Sequence, residues 1–102
     1  MSAENVAIVK SSWAGWRQGL REQMVRDFAD GVAERIDGWA EAEGRPGLQP
    51  EEFIDGDDVV IVRATADRQG RRLWFNYTMD GSLIEGWDVY EAEAEARTAA
   101  GL

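Results

Sequence analysis

Proton transfer has few candidates in this chain. Its 102 residues include no histidine and no cysteine. The side chain that titrates near neutrality without perturbation is therefore missing, and so are thiolate nucleophiles, disulfides and thiolate metal sites. A Ser-His-Asp relay is excluded. What remains is a carboxylate shifted by its surroundings, a tyrosine or a lysine. Tyr77 and Tyr90 could donate a hydrogen bond to a developing enolate oxygen, although a strand tyrosine is more often a packing residue with its hydroxyl at the rim. Asp55, Asp57 and Asp58 crowd one turn. They lack the alternating oxygen ligands and distal glutamate of a calcium loop, so a solvated turn is expected and no metal site. Arg68, Arg71 and Arg72 could meet an acidic ligand, or could offset local negative charge and guard a sheet edge. No glycine-rich phosphate loop or dinucleotide fingerprint is present, and no cofactor is expected.

The balance of charges narrows the partners. A formal charge of −9 repels nucleic-acid phosphates and anionic lipid. Neither is expected as a partner. No apolar run is long enough to span a bilayer, and Lys10 and Glu4 interrupt the only apolar stretch near the N-terminus, so no signal peptide is read there and a cytoplasmic location is expected. The length suits one domain over residues 1–102 with one core. Five Trp, three Phe and two Tyr are enough large side chains to fill that core, line a cavity or cover a subunit interface.

Two periodicities divide the chain. Val6, Val9, Trp13, Trp16 and Leu20 recur at three- and four-residue spacing, which predicts a helix from about Glu4 to Gln18, with Ser2 as its cap. Met24, Phe28, Val32, Ile36 and Trp39 form a second stripe, which Asp30-Gly31 could break into two helices. Gly44-Arg45-Pro46-Gly47 ends the helical half. Phe53-Ile54 reads as a short extended piece before the Asp55-Gly56-Asp57 turn. Asp58 to Ala66 and Arg72 to Met79 read as strands joined by the turn Asp67-Arg68-Gln69-Gly70. Asp80-Gly81 is a two-residue hairpin signal leading into a third strand, Ser82 to Tyr90. Glu91 to Ala100 could form a terminal helix or fray. Helices followed by consecutive hairpins predict an α+β layer fold, with the early helices covering one face of an antiparallel sheet.

The segment Asp80-Gly81-Ser82-Leu83-Ile84-Glu85-Gly86-Trp87-Asp88-Val89 resembles the terminal hairpin of the SnoaL-like branch of the NTF2-like superfamily. There an Asp-Gly turn leads into a strand of the pattern Ile-Val-Glu-His-Trp-Asp-Val. Asn5-Val6 through Trp16 is similar to that family's first helix, and the ending Ala99-Ala100-Gly101-Leu102 also matches. The resemblance implies a cone, in which a strongly bent sheet wraps around helices and encloses a hydrophobic cavity. Family members include polyketide cyclases, ketosteroid isomerases, epoxide hydrolases and proteins that only bind or dimerise, so the fold leaves the function open. Two departures stand out. Gly86 occupies the position of the family's histidine, and Gly19 to Gly31 is too short for the strand pair that usually follows the first helix. That shortening could open the cone or leave an edge for a second subunit to cover.

Strict alternation in the last strand would put Ile84, Gly86, Asp88 and Tyr90 on one face and Leu83, Glu85, Trp87 and Val89 on the other. The resemblance implies that the first set looks into the cavity. Burial would then raise the Asp88 carboxyl toward useful basicity, and the resemblance makes Asp88 the candidate general acid/base for isomerising or cyclising a carbonyl compound. The alternative is a partly exposed strand aspartate paired with an arginine or a backbone amide. Trp13, Trp16 and Tyr77 join Ile84, Gly86 and Tyr90 as expected pocket residues, the tryptophans either stacking on a flat ligand or filling a core. Leu83, Trp87 and Val89 form an apolar strip on the other face, which implies a homodimer contact. Two functions follow: a SnoaL-like protein binding a small hydrophobic molecule, with isomerase or cyclase chemistry at Asp88, or a non-catalytic NTF2-like module that dimerises or holds a ligand.

Overall fold

The computed structural model describes residues 3–43, 47–66 and 70–102, with Ala66 described by its backbone alone. The expected Ser2 cap, the Gly44-Arg45-Pro46 break and the Asp67-Arg68-Gln69 part of a turn lie outside these residues. The elements run α1 (Ala3–Gln18), α2 (Arg21–Val25), α3 (Val32–Ala42), β1 (Leu48–Asp55), β2 (Val59–Ala66), β3 (Arg71–Asp80), β4 (Leu83–Tyr90) and α4 (Glu93–Ala100). The four strands form one antiparallel sheet in the order β1-β2-β3-β4. This is an α+β fold of helices followed by an open curved sheet. Among the described residues no helix is long and apolar enough to cross a membrane.

The second helical stripe is divided at Gly31, whose φ of 89° lies where side chains other than glycine are strained. It delivers two short helices in place of one long one. Between them, residues 27–29 run along the free edge of β4. Ile84 N–H donates to the Asp27 carbonyl at 2.7 Å, and Ala29 N–H donates to the Ile84 carbonyl at 2.8 Å. One strand-like bridge, Phe28 with Ile84, therefore occupies the region where the sequence has no room for a strand pair. It satisfies part of an edge that would otherwise stay open.

β1 is longer than the expected Phe53-Ile54 piece. Pro50 and the register shift between Pro50 and Glu52 interrupt its alternation, which hides the strand from a period-two reading. Both features suit an edge strand, where a missing N–H and a bulge are tolerated.

Helices α1, α2 and α3 cover the inner face of the sheet. Val9, Trp13, Met24, Val32 and Ile36 pack there against Val60, Val62, Leu73, Phe75, Met79 and Ile84 in one cluster. Phase along the strands explains the set. Val60, Val62 and Ala64 pair with Tyr77, Phe75 and Leu73, so their side chains share one face. α4 takes the opposite face, where Val59, Ile61, Asn76 and Ala96 are buried. Asn76 Nδ2 donates to the Ala96 carbonyl at 2.9 Å and ties α4 to β3.

The corner between α1 and α2 is held by a close approach of two backbones. Leu20 N–H donates to the Gly15 carbonyl at 2.8 Å, Ser12 Oγ donates to the Met24 carbonyl at 2.7 Å, and Gln23 Nε2 donates to the Ser11 carbonyl at 3.1 Å. A Cβ at Gly15 would stand 2.5 Å from Met24 N and 3.0 Å from the Leu20 carbonyl oxygen. Helix propensity alone says that Gly15→Ala stabilises by about 1 kcal/mol. The corner reverses that sign: Gly15→Ala is expected to destabilise by about 1–3 kcal/mol, read as a lower urea midpoint at unchanged slope.

Candidate functional site

Four aromatic rings meet between the helices and the inner face. Trp13 and Phe75 have centroids 5.2 Å apart, Trp39 and Phe75 5.6 Å, and Trp39 and Trp87 5.7 Å, all edge-to-face. Such pairs contribute about 0.5–1.5 kcal/mol each beyond area burial. With Trp16, Met24 and Tyr77 these rings line an apolar pocket that retains only about 20 Å³ of free space, room for about one water. Trp16 and Met24 are also shared with a wider groove of about 570 Å³ outside, flanked by Arg21, Asp37 and Glu41. Arg21 Nη2 donates to Asp37 Oδ2 at 2.6 Å and links α2 to α3 beside the groove. The pocket is thus an almost filled apolar chamber whose lid is an indole and a thioether.

The polar groups of the chamber are few and mostly donors. Ser12 spends its hydroxyl on the Met24 carbonyl. Tyr77 is buried, and burial pushes its phenol well above the usual tyrosine range, while the indoles of Trp87 and Trp13 pull weakly the other way. Trp13 Nε1 nevertheless makes no hydrogen bond of regular geometry. Tyr77 is the only titratable side chain among the described residues lining the chamber, and it stays a neutral donor across the physiological range.

Asp88 is not in this chamber. Its side chain is 53% exposed, and Arg35 Nη2 lies 3.2 Å from its Oδ1. It faces outward beside Asn76, its cross-strand partner. Gly86 and Tyr90 share that outer face with it, so the expectation that they line the pocket is corrected too. Trp87 is reversed in the opposite sense, being 5% exposed in the core and lining the chamber. Val89 packs against the same core, Ile84 is fully buried in it without lining the chamber, and only Leu83 of the expected contact strip is exposed. The homodimer expectation therefore loses the Trp87–Val89 strip on which it was drawn.

The cause is one residue. Between Thr78↔Gly86 and Met79↔Ile84 the pairing shifts, leaving Glu85 as an extra residue in β4. A bulge resets alternation, so Ile84 and Trp87, three apart, point to the same face. Gly86 sits beside it, where an added Cβ would come within 3.0 Å of the Thr78 Cβ. Trp13, Trp16 and Tyr77 do line the chamber. So do Trp39 and Met24, which lie on the second helical stripe and were legible as its apolar face, and Leu48, for which the sequence carries no signal.

The arrangement of helices on one face of a four-stranded sheet has counterparts among solved structures. AclR of Streptomyces galilaeus, a candidate hydroxylase, superposes with a TM-score of 0.65 at 12% identity, covering 99% of this chain and 98% of that one. An NTF2-like protein of unknown function from Burkholderia pseudomallei gives a TM-score of 0.64 at 13% identity, covering 96% and 98%. The fold is NTF2-like. No family model and no curated protein matches the sequence. At such identities the likeness extends to the fold alone.

Two measurements test the site. Above about pH 10 an unfolded chain ionises its tyrosines, whereas buried Tyr77 holds its proton. The contribution is complete below that pH and is lost as pH rises. Stability to urea is therefore expected to fall as pH rises above about 10 in the parent protein and to fall less in Tyr77→Phe. Asp88→Asn, which removes an exposed ion pair, is expected to cost no more than about 1 kcal/mol in the same assay.

Proposed function

We propose that this chain is a ligand-holding NTF2-like protein that binds a small, flat, apolar molecule without acid/base turnover. The observation that carries this reading is the aromatic chamber under Trp16 and Met24, which opens toward a groove and has Tyr77 as its only titratable lining residue among those described. Isomerisation or cyclisation through Asp88 needed that carboxylate inside the chamber. Its exposed, Arg35-paired position on the other face removes it from any ligand held there. Tyr77 supplies a hydrogen bond but no base, because burial keeps its proton in place.

The ligand does not simply drop into an empty cavity. With about 20 Å³ free, its ring must displace a side chain or rest in the outer groove against Trp16. Trp16 is half-buried and shared by both spaces, which makes it the side chain to move. Binding that waits on such a movement has a lowered association rate. Flat aromatic ligands suit a wall of indoles, since offset and edge-on ring contacts add to area burial.

Titration with a neutral fluorescent probe, N-phenyl-1-naphthylamine, is expected to give saturable binding with quenching of tryptophan emission. Trp16→Ala is expected to weaken it about tenfold, the equivalent of one aromatic contact. Absence of saturable binding, or equal affinity in Trp16→Ala, would sink the proposal.

A further inference from the structure

The outer face of the sheet holds a second crevice that the ligand chamber does not use. It lies between α4 and strands β2 to β4 and encloses about 250 Å³. Asn76, Thr78, Tyr90, Asp58 and Asp88 line it together with small apolar residues of α4. Every one of those five side chains offers an acceptor oxygen, and among the described residues no basic side chain lines the crevice. Arg35 meets Asp88 at its exposed side, and Asp58 has no ion pair among the described residues.

Asn76 supplies an independent sign of an absent partner. It is 4% exposed. Its Nδ2 donates to the Ala96 carbonyl at 2.9 Å, which fixes the orientation of the amide, since only the NH₂ end can donate there. Oδ1 is then buried and accepts no hydrogen bond among the described residues. Buried polar atoms are almost always satisfied, and one left over calls for a donor. A donor meeting this crevice also meets two carboxylates at its rim, so positive charge is favoured there. The volume admits a short alkyl group as well as the head, and Val59, Ala99 and Ala100 give it an apolar wall.

We propose that this crevice binds a small primary ammonium group, with Asn76 Oδ1 and the Thr78 hydroxyl as acceptors and Asp58 and Asp88 supplying the charge. Three N–H donors on one compact cation match several convergent oxygens better than a single-donor ligand does. The site stands on the face opposite the aromatic chamber, so it neither needs nor tests the ligand reading above.

The experiment follows ¹H–¹⁵N spectra of the whole chain during titration with propylammonium chloride at constant ionic strength. Tetramethylammonium, propionate and magnesium serve as parallel arms. Saturable shifts are expected at the Asn76 side-chain amide, at Thr78 and Tyr90 and along α4, with propylammonium alone. Asp58→Asn and Thr78→Val, neither of them a member of the buried core cluster, are each expected to weaken binding about tenfold, as loss of one charge-assisted contact does. Equal shifts with tetramethylammonium would mean a merely attractive acidic surface and overturn the proposal. So would no saturation, a response to magnesium in place of the amine, or unchanged affinity in both variants.

Discussion

The contact on which the rest of the molecule depends is the edge-to-face stack that runs from Trp13 through Phe75 and Trp39 to Trp87. It joins the early helices α1 and α3 to the later hairpin of β3 and β4, through rings whose geometry leaves little freedom. A short chain cannot bury a large fraction of its surface, and these rings concentrate the burial it can achieve. The same stack accounts for the small interior. In a bent sheet wrapped around helices, smaller side chains would leave a cavity, whereas here indoles occupy most of it.

That occupancy separates two properties that share a fold. Curvature and layer order match proteins of other sequence at 12% and 13% identity, so many side-chain sets satisfy the backbone. The chamber's chemistry is local to this set. Its lining carries donors and apolar rings, its acids lie outside, and nothing in it takes up a proton near neutral pH. The outer face of the sheet carries charged groups of its own, among them Glu51, which is held below the usual carboxylate range by the Thr65 hydroxyl, with the guanidinium groups of Arg72 and Arg63 acting in the same direction.

Much of the fold was legible because its signals are local. Val9, Trp13 and Trp16 announce α1 by spacing, Asp80-Gly81 announces the hairpin, and Val59 to Val62 announce β2. Trp13, Trp16 and Tyr77 could be placed near a cavity on those grounds. The face of β4 could not. Alternation is read by counting, and Glu85 makes the count wrong by one, so a motif that matches residue for residue delivers the opposite side chains inward. Nothing in Glu85-Gly86 distinguishes a bulge from a regular pair, because the shift exists only relative to Thr78 and Met79 on the partner strand. β1 was missed for a related reason, with Pro50 and a second irregularity masking its period. Leu48 reaches the chamber through that strand and was hidden with it.

The bulge at Glu85 gives this strand an unusual tolerance at one codon. Losing the Glu85 codon would remove the bulge and leave Ile84, Trp87 and Val89 alternating on the inner face, whereas keeping the residue in a regular ladder would send either Ile84 or the Trp87–Val89 pair to the outer face. A substitution at the same codon alters only an exposed side chain. In a lineage of such proteins, this strand should therefore accept both replacement and loss at position 85. An alignment that counts on from Ile84 to a regular strand without a gap at position 85 will match side chains that never occupied the same space.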